Sequence, residues 1–192
     1  MVLLGALHFP ESPENSSLVE DSLLQQVAEG NQEAFQQLYQ HTDRAVYGFI
    51  LSVVKNPQDA EEIMQETYMK VWTSAPSYQA QGKPLAWIFT IARNLCYMKF
   101  REQKHQADIG FDDLEGTEQG EICPQIEQAA DKLVLKAALE QLKEEERQIV
   151  LLKNSSGLKH REIAQVMKMP LATVLSKYNR AMKKLEQFLR EE

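Results

Sequence analysis

Apolar residues recur at steps of three and four along most of the chain, and this period constrains the fold more than any other feature. The clearest stripe extends over about 20 residues and comprises Phe35, Leu38, Ala45, Val46, Phe49, Ile50 and Val53. A period near 3.6 places side chains on one face of an α-helix, whereas a half-buried strand alternates at every second residue. Because no alternating run is long enough for a sheet, the sequence predicts an all-α fold.

Local signals mark where these helices begin and end. Ser17 and Glu20 fit a capping box, which predicts a short helix that runs through Val27 and stops at Gly30. Asn31 is a candidate cap for the next helix, and Asn56 followed by proline predicts a third. Pro84 opens a long helix after a loop at 74–84. Four further helices are predicted near residues 126–142, 144–153, 159–167 and 171–189.

Composition divides the chain into two helical domains. Residues 1–17 contain a Pro-rich polar stretch and are predicted to be a disordered arm. A first helical domain at 18–105 is followed by a flexible acidic linker at 106–124 and a second helical domain at 125–192. The chain has a net charge of −7, yet residues 132–192 carry 13 basic and 8 acidic side chains. This asymmetry indicates a polyanionic partner for the C-terminal part.

Several classes of protein are excluded by what the chain lacks. Cys96 and Cys123 form no CxxC pair and the four histidines are scattered, so we expect neither a disulfide framework nor a metal site. We find no phosphate-binding glycine loop, nucleophile elbow or paired catalytic carboxylates, so we expect no catalytic residue, no cofactor and no enzymatic activity. The apolar start has no basic residue and is too short to span a bilayer, which predicts a cytoplasmic protein without membrane insertion.

The stretch 157–185 has the pattern of a helix-turn-helix. Ile163 and Ala164 lie on a short helix, Pro170 begins a second helix, and Met169 and Val174 are spaced to fill the gap between them. The alternative is an ordinary helical hairpin with a solvated basic face. The side chains predicted to face the DNA major groove and its phosphates are Thr173, Leu175, Ser176, Lys177, Asn179, Arg180, Lys183 and Lys184.

These residues resemble region 4 of the extracytoplasmic-function (ECF) RNA polymerase sigma factors, of the sigma-70 family. The family run of Ile-Ala, then Pro-x-Gly-Thr-Val-x-Ser, then Arg-Ala stands here as Ile163-Ala164, residues 170–176 and Arg180-Ala181. Upstream, residues 59–72 and 87–101 resemble region 2 of the same family. The resemblance covers about residues 20–105 and 130–190, in the family's order. It implies a sigma region 2 bundle followed by a sigma region 4 helix-turn-helix domain.

The resemblance also implies the partners. A sigma factor binds core RNA polymerase, through the clamp of its beta-prime subunit, and directs it to promoter DNA; an anti-sigma factor commonly holds it. Domain 2 would open the −10 element and domain 4 would read the −35 element as duplex. The residues matched to −10 binding are Tyr78, Gln79, Gln81, Arg93, Asn94, Lys99, Arg101 and Lys104. The residues matched to polymerase binding are Asp59, Glu62, Gln65 and Glu66.

Two other functions stay open at this point: a stand-alone helix-turn-helix regulator, and an inactive sigma-like interaction protein. The α-helical ridge at 59–66 also fits a plain solvated face, and the loop at 77–84 also fits a surface loop with Tyr78 packed inward. The chain departs from the family at Ala172, where glycine is usual, at Leu175, where a basic residue is usual, and at Met98, often aspartate. Lys168 stands where glycine is common and is expected to adopt a left-handed conformation. These departures bear on which promoter is read.

Overall fold

The computed structural model describes residues 19–80, 82–109 and 136–191, with side chains through residue 104 in the second range and through 190 in the third. The predicted arm at 1–17, Gln81, Cys123 and residues 110–135 lie outside the described residues. Across these three ranges every regular element is helical and no strand occurs, which confirms the all-α prediction.

The described residues form seven α-helices, a 3₁₀ turn and a short helical segment. The helices are α1 (Asp21–Ala28), α2 (Gln32–Val54), α3 (Pro57–Ser74), α4 (Pro84–Ile109), α5 (Glu144–Asn154), α6 (His160–Met167) and α7 (Leu171–Glu191). The 3₁₀ turn Ala75–Ser77 follows α3, and residues 136–140 form a helical segment before α5. We call α1–α4 the N-terminal module, and residues 136–191 the C-terminal module.

The predicted asparagine caps are confirmed. The side-chain oxygen of Asn31 accepts hydrogen bonds from the backbone N–H groups of Glu33 and Ala34 at 3.0 and 3.1 Å. Asn56 accepts from the N–H of Asp59 at 3.1 Å, and Asp59 lies two residues beyond the proline that opens α3. Both side chains satisfy N–H groups that have no partner inside the helix.

Two predicted boundaries differ from the structure. The predicted start of the first helix at Ser17 is wrong, because α1 begins at Asp21. The Asp21 carboxylate accepts hydrogen bonds from the Tyr78 hydroxyl and from the Gly82 N–H, which fixes the first turn against a distant loop. At the other end of the module, α4 continues to Ile109, past residue 106 where the linker is predicted to begin.

The N-terminal module packs its four helices around aromatic side chains. Phe49 of α2 meets Phe89 of α4 edge to face, with ring centroids 5.5 Å apart, and both are fully buried. Phe35 packs on Trp72 at 5.1 Å, so Trp72 contributes to the core. The Tyr68 hydroxyl and the Thr42 hydroxyl share a buried hydrogen bond of 2.7 Å, which satisfies both polar groups away from water.

The C-terminal module is built on α5. Arg147 is buried, and its guanidinium donates to the carbonyl oxygens of Leu139 and Leu142, which ties the segment 136–142 to α5. Leu139 and Val150 share a buried apolar cluster with Ala181 and Leu185 of α7. The two predicted helical modules are therefore confirmed.

The two modules also pack against each other, which the sequence did not predict. Helix α2 lies on α5, and α4 lies on α6. Ile149 and Leu152 of α5 belong to the same buried cluster as Phe49 and Phe89. One apolar core therefore runs through both modules.

Candidate nucleic-acid and protein interfaces

Helices α6 and α7 form the predicted helix-turn-helix. Between them Lys168 has φ 53° and ψ 44°, the predicted left-handed conformation, and the Met169 N–H donates to the Ala164 carbonyl at 3.0 Å. Val174, Ala181 and Leu185 are fully buried and set the inward side of α7. Because these three residues follow helical steps of seven and four, they share one side of α7, and the side chains on the opposite side point outward.

The outward side of α7 carries the predicted groove-reading residues. Ser176, Asn179, Arg180 and Lys183 are exposed, and Leu175 is 39% exposed despite its apolar side chain. Thr173, Lys177 and Lys184 are half-buried. The structure therefore brings all eight predicted −35 residues onto one helix.

Three of these basic side chains are held by glutamates of α5. The Lys177 ammonium lies 2.5 Å from a carboxylate oxygen of Glu145, and that of Lys184 lies 2.7 Å from Glu146. The Arg180 guanidinium lies 3.9 Å from the second Glu146 oxygen. These pairs keep the cationic ends near α5, so phosphate binding by Lys177 or Lys184 must compete with a carboxylate.

Glu146 is the organising residue of this arrangement. Its side chain is 1% exposed, and it also accepts a hydrogen bond from the backbone N–H of Lys143, so it caps α5. Burial raises the pKa of Glu146, but the hydrogen bonds from Lys184 and Lys143 and the nearby charges outweigh burial and hold the pKa below its ordinary value. The carboxylate is therefore charged at neutral pH.

The predicted base-binding loop borders a cavity of about 250 Å³. Tyr78 and Gln79 line it on the loop side, with Lys83, Trp87 and Thr90 among the other walls. Tyr78 is half-buried and its ring packs on Trp87, with centroids 5.1 Å apart. Tyr78 thus combines the two alternatives, since it packs inward and still borders an open space.

Sequence reasoning missed two residues of this loop site. Asp21 holds Tyr78 and the Gly82 backbone from 57 and 61 positions away, and no local pattern signals such a contact. Gln165 of α6 also lines the cavity, although it belongs to the other module.

Four of the five predicted −10 residues of α4, all except Lys99, lie on one face of the helix. Arg93, Arg101 and Lys104 are separated by helical steps of eight and three, and Arg101 and Lys104 are exposed. Arg93 is half-buried, with its guanidinium 4.4 Å from the centre of the Tyr97 ring. Asn94 is exposed and accepts a hydrogen bond from the Lys168 ammonium at 3.3 Å.

Lys99 points toward α3 instead. Its ammonium lies 3.1 Å from Asp59 and 2.8 Å from Glu62, and these two hydrogen-bonded carboxylates raise its pKa. Lys99 therefore belongs to the acidic ridge of α3 rather than to the basic face of α4.

The ridge predicted to bind a protein partner lies along α3. Gln65 and Glu66 are exposed, as is Glu62, while Asp59 is half-buried beside Lys99 and Gln103. Glu66 pairs with Lys70 one turn further on at 3.2 Å. The ridge is solvent-accessible and partly neutralised, because each of its three carboxylates pairs with a lysine.

Neither a metal site nor a membrane span is found in the described part of the chain. Its His, Cys, Asp and Glu side chains form no group of three or more that is placed to hold an ion. None of the described helices is both long and apolar enough to cross a bilayer.

The chain combines a helical module that carries an acidic ridge with a helix-turn-helix module that carries a basic recognition helix. This combination defines a DNA-binding transcription factor with two functional modules. Family comparison agrees with both parts: residues 32–106 match the model for sigma-70 region 2, and residues 132–185 match the model for sigma-70 region 4.

Similar proteins of known family identify the class of transcription factor more closely. The chain is 29% identical over 177 residues to the ECF RNA polymerase sigma factor SigK of Mycobacterium ulcerans strain Agy99, covering 88% of this chain and 92% of that one. It is 30% identical over 165 residues to SigK of Mycobacterium sp. strain KMS, covering 82% and 83%. The chain belongs to the extracytoplasmic-function sigma factors of the sigma-70 family. It is a sigma factor that directs transcription initiation, and it is not an enzyme.

Solved structures share the fold. The sigma factor RpoE of Bartonella quintana, in complex with the anti-sigma factor NepR, superposes with a TM-score of 0.64 at 26% identity, covering 81% of this chain and 96% of that one. CnrH in complex with the cytosolic domain of CnrY gives 0.63 at 21% identity, covering 90% and 97%. A stand-alone regulator and an inactive interaction protein are not favoured, because both sigma regions are present in order.

Proposed function

We propose that this sigma factor divides promoter recognition between its modules, with the N-terminal module opening the −10 element and the C-terminal module reading the −35 element. The observation that carries the proposal is the recognition helix α7, whose exposed side chains stand on a helix-turn-helix in the same chain as a base-sized cavity. Reading base edges in duplex DNA requires a helix that fits the major groove, whereas binding an unstacked base requires a pocket. The C-terminal module supplies the helix and the N-terminal module supplies the pocket.

In the C-terminal module, α7 enters the major groove. Arg180 suits the O6 and N7 acceptors of guanine, Asn179 suits adenine, and Leu175 fits a thymine methyl group. Lys183 and Lys184 flank them and neutralise phosphates. Lys177 and Lys184 pair with Glu145 and Glu146 in the free chain, and a phosphate replaces those carboxylates when DNA binds.

In the N-terminal module, one unstacked base of the opened strand enters the cavity beside Tyr78. Removing a base from the stack costs a few kcal/mol, which aromatic contact and hydrogen bonds must offset. Tyr78 supplies a ring, Gln79 and Gln81 supply amides, and Lys83 supplies a cation. Arg93, Asn94, Arg101 and Lys104 follow the strand along α4, with Lys99 at the border of the ridge.

Core RNA polymerase binds the ridge of α3. Asp59, Glu62, Gln65 and Glu66 present carboxylates and amides along one helix, which is complementary to a basic surface such as the clamp of the beta-prime subunit. The protein acts in the cytoplasm, where the polymerase and the chromosome are. The neighbours RpoE and CnrH were solved with partner proteins, which supports an anti-sigma factor as a further partner of this chain.

The experiment that tests the −35 assignment is run-off transcription with purified core polymerase on a genomic fragment library, followed by start-site mapping. Replacing both Asn179 and Arg180 with alanine removes two base contacts, so transcription should fall by at least about tenfold, while co-elution with polymerase is retained. Arg190→Ala, on the last turn of α7, is the matched control. Full transcription by the double variant would overturn the groove assignment.

A second double variant tests whether the ridge of α3 binds core polymerase. Glu62→Lys with Gln65→Lys removes the net negative charge of the ridge and should weaken polymerase binding by at least about tenfold, with the helix content unchanged. The control is Glu33→Lys with Gln36→Lys, which makes the same two changes at the same spacing on exposed positions of α2. Equal binding by both double variants would refute the ridge.

A further inference from the structure

Arg180 is the basic residue of α7 that lies between the groove-facing side of the helix and α5. It is one helical turn before Lys184, which faces α5, and one turn after Ser176, which is exposed. The Arg180 side chain is 57% exposed. Its guanidinium is therefore within reach of both the DNA groove and the Glu146 carboxylate.

The two carboxylate oxygens of Glu146 differ in their partners. Oε2 accepts hydrogen bonds from the Lys184 ammonium at 2.7 Å and from the backbone N–H of Lys143 at 3.2 Å. Oε1 is buried and accepts no hydrogen bond from any described residue. The Nη1 atom of Arg180 lies 3.9 Å from Oε1, about 1 Å beyond hydrogen-bond distance. Because a buried charged oxygen without a donor is costly, Oε1 is an acceptor that a small movement of Arg180 would satisfy.

DNA binding changes the partners of Glu146. In the proposed function a phosphate takes the Lys184 ammonium, which leaves the buried carboxylate with the Lys143 N–H alone. A buried charge that loses its counter-ion is strongly destabilised. Among the described residues, the cations paired with Glu146 are Lys184 and Arg180, so the guanidinium is the group that replaces the departing lysine.

The shape of the guanidinium allows it to contact Glu146 and a base at the same time. It carries five N–H donors in a planar fork, and two of these donors suffice for the O6 and N7 acceptors of guanine. The remaining donors of Arg180 lose water when the groove covers them and need an acceptor, which Oε1 of Glu146 supplies. A lysine at this position would offer a rotating point charge and no fixed plane.

We propose that Glu146 is a positioning residue for base reading. In the promoter complex its Oε1 atom accepts a hydrogen bond from Arg180 and directs the opposite edge of the guanidinium to one guanine of the −35 element. The inference rests on the proposed function, which assigns Arg180 to the major groove. It adds that the preference for guanine at that base pair depends on a buried residue of α5 that does not contact DNA.

The test measures base preference rather than total activity. Holoenzyme assembled from core polymerase and the full chain transcribes a promoter pool that is randomised over the −35 element, and a barcode in each transcript identifies its template. Arg180→Ala should lower the preference for guanine at one base pair by about tenfold, which identifies the base pair that Arg180 reads. Glu146→Gln should lower the preference at the same base pair by about threefold, because a neutral amide holds the guanidinium less firmly than a carboxylate does.

Lys184→Gln is the matched control, because it removes the other cation that pairs with Glu146. It should lower transcription from all templates alike and leave the guanine preference unchanged, since phosphate contacts carry no sequence information. Glu146→Asp keeps the charge of the cluster but retracts the carboxylate, so it should also lower the guanine preference. Circular dichroism shows whether each variant is folded, and Glu146→Asp decides the question if Glu146→Gln is not.

The outcomes separate the inference from the proposed function. In an Arg180→Ala background, Glu146→Gln should cause no further change at the base pair that Arg180 reads. Folded Glu146 variants that keep the wild-type guanine preference, or that lose preference equally at every position, would overturn the inference and leave the groove assignment intact. If Arg180→Ala itself changes no base preference, the groove assignment fails and the inference fails with it.

Discussion

The adjacent residues Glu145 and Glu146 of α5 differ in how deeply their side chains are buried. Glu145 and Glu146 both pair with lysines of α7, but the side chain of Glu145 is 48% exposed and that of Glu146 is 1% exposed. The sequence predicted Lys177, Arg180 and Lys184 on one side of one helix, and they lie on one side of α7, because helical spacing determines that side. It gave no sign of their carboxylate partners, which lie 32 to 38 positions away and are brought close by packing alone.

Glu146→Gln should lower the free energy of unfolding by about 2 kcal/mol at pH 6, since it leaves a buried cluster without its charge. Glu145→Gln should change it by less than about 0.5 kcal/mol. Because the pKa of Glu146 is held below 4.5 in the folded chain, its contribution is present above pH 4.5 and is lost as the pH falls through the folded-state value. Urea unfolding at several pH values checks this. A constant difference between wild type and Glu146→Gln from pH 6 to pH 3 would contradict it.

Among helix boundaries, the sequence predicted those that depend on neighbouring residues. Asn31, Asn56 and the left-handed Lys168 are confirmed because caps and turns involve positions within about four residues. The start of α1 was wrong because the contact of Asp21 with the loop at 78–82 overrides the local capping signal at Ser17. Lys55 is also left-handed, with φ 58°, and was missed because Asn56 and Pro57 signal the next helix and not the end of the previous one.

Lys55→Gly should stabilise the protein by about 1 kcal/mol, because glycine adopts the left-handed cap of α2 without the steric cost of a side chain. Its backbone N–H still donates to the Leu51 carbonyl, and no ion pair involves Lys55 among the described residues. Lys55→Ala keeps the steric cost and serves as the control, with little change expected. Thermal and urea unfolding measure the difference, and equal stability of the two variants would show that this conformation is not strained.

At the scale of the molecule, charge and composition predicted two modules but did not predict that the modules pack against each other. The acidic segment at 108–131 contains eight carboxylates and no basic residue, a signal that is local and readable. The apolar core that the two modules share includes residues near 49–54 and 149–152. In the sequence, each of these runs is explained by burial within its own module alone. The sequence shows that two faces of one helix are apolar. Which element covers each face depends on residues far away in the sequence, so local patterns do not reveal it. The residues proposed for −10 binding were likewise predicted one by one, whereas Gln165 borders the cavity beside Tyr78 from the other module.

A shared core makes unfolding cooperative, and this gives a test that needs no DNA or polymerase. Both tryptophans, Trp72 and Trp87, lie in the N-terminal module, whereas far-ultraviolet circular dichroism reports the helices of both modules. In the wild type the two signals should follow one urea transition, because the contact of α2 with α5 couples the modules. Leu51 of α2 is fully buried, so in Leu51→Glu the buried charge removes that coupling, and loss of helix should begin at lower urea than the change in fluorescence. Gln37→Glu, at an exposed position of the same helix, is the charge-matched control and should keep the transitions coincident. Separate transitions in the wild type, or coincident transitions in a folded Leu51→Glu chain, would mean that the modules do not stabilise each other.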